Sequence, residues 1–163
     1  MTDYDLLITT LFHQYSTSQI DLILTIVANF IYVFLLYFLY HFFKKKQKKL
    51  LYLLIVSGIL GLGITTGLKY LINRPRPFTT SEIDIFDKNS PSFPSRHAFL
   101  AGLGLFFLPK EFSKKIKKLY QIYFFLVIPL SLLISGVHFI TDIIAGLAIG
   151  YFIPYLLDKI FKK

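Results

Sequence analysis

Three stretches without a single Asp, Glu, Lys or Arg constrain this chain more than any other feature: residues 22–43, 50–68 and 119–137. A fourth, residues 139–157, is interrupted only by Asp142. A run of about 20 apolar residues matches a hydrocarbon layer about 30 Å thick. In that layer a backbone has no water to bond, so each run must close its own hydrogen bonds as a helix. With 55% hydrophobic residues and a mean hydropathy of +0.60, the whole chain agrees with that reading. Residues 98–109 form a shorter apolar run. Counted from Pro94, a helix there would be about 22 Å long at 1.5 Å per residue, too short to span. We therefore expect an all-α integral membrane protein. It is a bundle of about five membrane helices, four full and one short, in a single domain over residues 1–163. Residues 1–18 place Leu6, Leu7, Leu11 and Phe12 at helical spacing among Asp3, Asp5 and His13, which suits a helix lying along the interface. No cleavable leader pattern opens the chain, so the apolar runs are expected to be retained.

The basic residues fall in blocks between these runs. Lys44, Lys45, Lys46, Lys48 and Lys49 form one, and Lys110, Lys114, Lys115, Lys117 and Lys118 a second. Lys159, Lys162 and Lys163 close the chain. If each full run crosses once, all three blocks share one side, which the positive-inside rule makes cytoplasmic. The polar loop of residues 69–97 and the Ser135–His138 turn then share the outer face. The net charge of +9 therefore reads as membrane topology. A nucleic-acid binder would carry basic faces on soluble elements, and none is expected here. Without cysteine there is neither a disulfide framework nor thiolate chemistry.

Chemistry concentrates on the outer face. His138 and Asp142 are four residues apart, which on one helix places them within hydrogen-bond reach. A carboxylate on one imidazole nitrogen fixes the tautomer and strengthens the other nitrogen. The plain alternative is a polar pair bonding neighbouring helices. Gly63-x-x-x-Gly67 would admit a close helix, the last run carries a second such pair, Gly146-x-x-x-Gly150, and Pro129 marks a kink. Lys69, Arg74, Arg76 and Arg96 are four basic residues on a face where lysine anchoring is not expected. Headgroup anchoring is their plain alternative. In Phe93-Pro94-Ser95-Arg96-His97, Pro94 suits a first helical turn and Ser92 a cap. Such a helix start offers free N–H groups to an anion.

Three spaced motifs resemble those of the type 2 phosphatidic acid phosphatase superfamily, integral-membrane lipid phosphatases that share their site with the vanadium haloperoxidases. That family carries K-x6-R-P, P-S-G-H and S-R-x5-H-x3-D. Lys69 through Arg76-Pro77 matches the first, and Pro94-Ser95-Arg96-His97 the second with arginine for glycine. Ser131-Leu132, His138 and Asp142 match the third with leucine for arginine. The resemblance implies that His138 is the nucleophile, Asp142 orients it, and His97 is the acid and then the base. It implies Lys69, Arg76, Ser95 and backbone N–H groups as phosphate ligands, with no cofactor and no metal. Leu132 cannot serve as the family's arginine, so Arg96 or Arg74 is the candidate to replace it.

The expected activity is hydrolysis of a lipid mono- or diphosphate through a phosphohistidine, at the outer face of a bacterial inner membrane. Undecaprenyl diphosphate is the favoured substrate, because the site faces outward and so small a chain offers no headgroup domain. Phosphatidylglycerol phosphate, phosphatidic acid and a lipid A phosphate are its competitors. The rival reading is a silent lipid-phosphate-binding protein, against which His97, His138 and Asp142 all count. A transporter would show broken helices or an inverted repeat, and neither is present.

Overall fold

A computed structural model describes residues 3–78 and 90–161, and its regular elements are all helices. Residues 79–89 of the expected outer loop lie outside the described residues, as do Lys162 and Lys163. The helices are α1 (Asp3–His13), α2 (Ser18–Lys44), α3 (Lys48–Ile72), α4 (Arg96–Phe106), α5 (Lys114–Ile134) and α6 (Ile140–Ile160). Four of them, α2, α3, α5 and α6, are long and apolar enough to cross a membrane. Their large side chains point outward, as lipid-facing residues must: Phe30, Leu36, Ile59 and Phe125 are all exposed.

The short helix is the centre of the bundle. Every residue from His97 to Gly104 is buried, and α4 packs most extensively on α6. Small residues make that approach possible. A Cβ on Gly150 would collide with the carbonyl oxygen of Phe99, and one on Gly146 with that of Ser95. Backbone cannot yield as a flexible side chain can, so Gly150→Ala should destabilise by about 3 kcal/mol. Thermal unfolding in detergent would show it as a clear fall in Tm beside an unchanged Gly63→Ala. That contrast corrects one expectation. Gly63 and Gly67 have nothing within 4 Å of an added Cβ, so the close helix approach occurs at Gly146 and Gly150 instead.

Near Pro129, α5 carries a π-helical turn over Tyr123–Val127. Pro129 has no N–H to continue the regular ladder, and the Ile128 N–H reaches back five residues to the Tyr123 carbonyl. The widened turn presents Phe124 to Gly104 of α4, and the Tyr123 hydroxyl donates to the Val27 carbonyl of α2 at 2.5 Å.

The two ends of the bundle differ in character. At one, Gln47 donates to Glu111 at 2.5 Å and Lys49 pairs with Asp158 at 3.1 Å, which brings the lysine-rich segments together. At the other lie Lys69, the Arg74–Phe78 segment, the start of α4 and the α5–α6 turn. Helix α1 docks there too, in an orientation its sequence did not reveal. Asp5 and Thr9 are buried at 4% and 0% exposure, while Leu7 and Leu11 are 56% and 52% exposed. The polar stripe of α1 faces the protein, and the apolar stripe faces outward.

Candidate active site

The two halves of the polar loop are clamped by their own backbone. Helix α3 ends at Asn73, which adopts a left-handed conformation, and the chain then turns through Pro75 and Pro77. The Ser92 N–H donates to the Arg74 carbonyl at 2.8 Å, and the Ser92 hydroxyl to the Pro75 carbonyl at 3.0 Å. Lys69, only 2% exposed, donates from Nζ to the Pro91 carbonyl and, at 3.4 Å, to that of Ser92. Arg76 binds Ser90 twice, from Nε to the carbonyl at 3.1 Å and from Nη2 to the hydroxyl at 2.8 Å. Its Nη1 reaches the Val137 carbonyl at 3.4 Å, which ties this loop to the residue beside His138.

Ser92 is therefore a loop clamp, and the cap of α4 is Ser95. The Ser95 hydroxyl accepts from the Ala98 N–H at 3.3 Å, and Pro94 precedes the helix rather than opening it. The Ser95 N–H donates to the Asp142 carbonyl at 3.1 Å, so the starts of α4 and α6 are fastened together. Arg96 is the first helical residue and is exposed. Its guanidinium makes no hydrogen bond or ion pair among the described residues, yet it lies within electrostatic reach of Lys69 and His97. His97 is buried, and the ring of Tyr32 meets it edge-on at 5.7 Å.

His138 and Asp142 are close, but not for the expected reason. Helix α6 begins at Ile140, so His138 lies in the preceding turn and the two do not share a helix face. Gly136, at φ +67, supplies the left-handed bend that turns the chain inward. Asp142 then folds back over its own helix start. Its Oδ2 accepts from the Phe139 N–H at 3.0 Å and lies 3.6 Å from His138 Nδ1. Such a contact is commonly long before substrate binds. Burial pushes the His138 imidazole down to about 4, opposed by Asp142 and reinforced by Arg76 and Lys69. His138 is thus neutral at pH 7, with Nδ1 toward the carboxylate and Nε2 on the opposite side of the ring.

Arg74 has a different setting from the other cations. Its Nη1 donates to Asp142 Oδ1 and to Thr141 Oγ1, both at 2.7 Å, and its Nη2 to Asp5 Oδ2 at 2.7 Å. The guanidinium also stacks on Phe139, 3.9 Å from the ring centroid. It is held by two carboxylates and a ring, whereas Arg96 is not. Lys69, Arg76, Ser95, Arg96, His97, His138 and Asp142 are thus gathered at one end of the bundle, with Arg74 behind Asp142. Sequence reasoning missed Asp5 and Thr141. The only signal was the spacing of Asp5, Thr9 and His13, one polar face of an interfacial helix. His13 lies at the end of that face, 3.0 Å from the Ile134 carbonyl and stacked on Phe78.

Four spanning helices around a buried short one define an integral membrane bundle with a cation-rich, two-histidine polar end. The family model of the PAP2 superfamily matches residues 48–163, and the chain belongs to that superfamily. Among solved structures, it is similar to Aquifex aeolicus LpxE, with 26% identity and a TM-score of 0.78 over 97% of this chain and 96% of that one. A transmembrane PAP2-type phosphatidylglycerolphosphate phosphatase from Bacillus subtilis shares the fold, with 21% identity and a TM-score of 0.73 over 98% and 85% of the two chains. No curated protein matches the chain.

Proposed function

We propose that this protein hydrolyses a lipid mono- or diphosphate through a phosphohistidine on His138. The observation that carries the reading is the meeting of the loop, the start of α4 and the start of α6, through the Ser95–Asp142 and Arg76–Val137 contacts. That junction brings a neutral, carboxylate-backed imidazole among three cations. Nε2 of His138 attacks phosphorus as the P–O bond to the leaving group breaks, and His97, which burial and the nearby cations hold neutral in the free protein, protonates the departing oxygen with a proton taken up as the anionic phosphate offsets those cations. His97 then takes a proton from water, whose oxygen attacks the phosphohistidine, releases phosphate and restores His138. Lys69, Arg76 and Arg96, with Ser95 and N–H groups at the helix start, stabilise charge on the phosphoryl oxygens. Donors fixed in place before reaction commonly make the largest catalytic contribution.

The gathering of the lysine blocks at the opposite end supports a site on the outer face of a bacterial inner membrane. Undecaprenyl diphosphate is the substrate we favour. A cation-lined site on the outward face suits a lipid whose polar part is phosphate alone.

Phosphate release from a panel of these lipid phosphates, measured in detergent with EDTA present, tests the reading. Turnover should persist in EDTA, and orthovanadate should inhibit competitively by adopting five-coordinate geometry against His138. Activity lost in EDTA and restored by magnesium would instead mean metal-assisted hydrolysis. No release from any lipid phosphate would favour a silent binding protein.

A further inference from the structure

We propose that Asp5 of α1 is a positioning residue for the nucleophile pair, acting through Arg74 and Thr141; the proposal rests on the phosphohistidine reading above. Asp5 is 4% exposed, and both of its carboxylate oxygens are used. Oδ2 accepts from Arg74 Nη2 and from Thr141 Oγ1, each at 2.7 Å, while Oδ1 accepts from the Thr141 N–H at 3.3 Å. Burial raises its carboxyl pKa, but the Thr141 and Arg74 hydrogen bonds outweigh this and leave it below the usual carboxylate range. Arg74 passes the constraint on, because its other terminal nitrogen holds Asp142 Oδ1 at 2.7 Å.

This arrangement has two consequences for His138. Asp142 is completely buried, and with one oxygen held by Arg74 and the other by the Phe139 N–H it can take only one rotamer. That rotamer is the one facing Nδ1. The charges also matter. One guanidinium between two carboxylates leaves the cluster with one net negative charge, beside an imidazole that becomes positive as Nε2 bonds to phosphorus. Without the charge on Asp5 the cluster would be neutral, and Arg74 would draw on Asp142 alone. The transition state would lose stabilisation, while binding of the anionic substrate would not weaken. Helix α1 thereby becomes part of the catalytic scaffold as well as an interfacial anchor.

Asp5→Asn keeps the size of the side chain and removes its charge. It should lower kcat about tenfold with KM unchanged or lower, a split that general loosening of the site would not produce. In an Arg74→Gln background the same change should have a clearly smaller effect than in the wild type, since the route through Arg74 is gone and only that through Thr141 remains. Asp5→Glu, which keeps the charge, should retain more activity than Asp5→Asn. Should Asp5→Asn not yield a monodisperse protein, Thr141→Val carries the test, with kcat expected to fall about threefold at constant KM. Unchanged kcat, or equal losses in both Arg74 backgrounds, overturns the proposal. A wild-type enzyme indifferent to His138→Ala overturns it together with the phosphohistidine reading. An inactive His138→Ala beside an unimpaired Asp5→Asn overturns this proposal alone.

Discussion

His138→Ala should lose at least about 10³-fold in phosphate release while remaining folded in detergent, because on the proposed mechanism it removes the atom that bonds to phosphorus. Its setting explains why a substitute is not expected. In the proposed cycle His97, on α4, serves as the acid and then the base, and the cations have no free electron pair to offer. The Nδ1 side of His138 faces Asp142 at 3.6 Å, so Nε2 is the nitrogen removed from service. The pH dependence gives a second check with a definite sign. Burial lowers the His138 pKa from 6.5 to about 4, so the nucleophile stays neutral as the pH falls from 7 to 5. The acid limb of kcat/KM should therefore lie near 4 rather than near 6.5. An alanine variant that kept a tenth of wild-type turnover would reject the covalent role. An acid limb at 6.5 would mean that His138 is not held neutral as its burial implies.

Arg96→Gly should lower kcat/KM by roughly 10- to 100-fold, the loss expected when a phosphate oxygen gives up a charge-assisted hydrogen bond of about 1.5–3 kcal/mol. The change would restore the family's usual second motif, so a fall in activity would be specific to this chain. The setting of the two candidate arginines favours Arg96 as the replacement. Arg74 is bound by Asp5 and Asp142, while Arg96 stands exposed at the first position of α4. Leu132, where the family has its arginine, is buried in the apolar core around α4. Leu132→Arg should partly restore the Arg96→Gly variant, provided the new guanidinium reaches the phosphate. Arg96→Lys should restore less, since a point charge does not reproduce a planar fork. The four-variant comparison by kcat/KM decides the matter, with folding followed in parallel because a stranded buried arginine would destabilise. A near-neutral Arg96→Gly would make Arg96 a headgroup anchor. Strict additivity would sink the exchange between the two positions.

The sequence by itself determined the solvent, the helices and which polar residues share one end. Long charge-free runs can only be helices in hydrocarbon, and a short run between them cannot span. The lysine blocks separate the two ends because a charged side chain is costly to carry across. Each of these follows from a property of one segment and the bilayer, with no partner required. What only the tertiary structure decided were pairings between segments distant in the chain. Gly146 and Gly150, rather than Gly63 and Gly67, meet another backbone, since a small residue permits approach without specifying what approaches. His138 faces Asp142 across a helix cap and not along a helix face, because the chain bends at Gly136 before α6 begins. Arg74 and Arg96 look alike in sequence. Only the docking of α1, which brings Asp5 to Arg74 across 69 residues of chain, gives one of them two carboxylates and leaves the other facing outward.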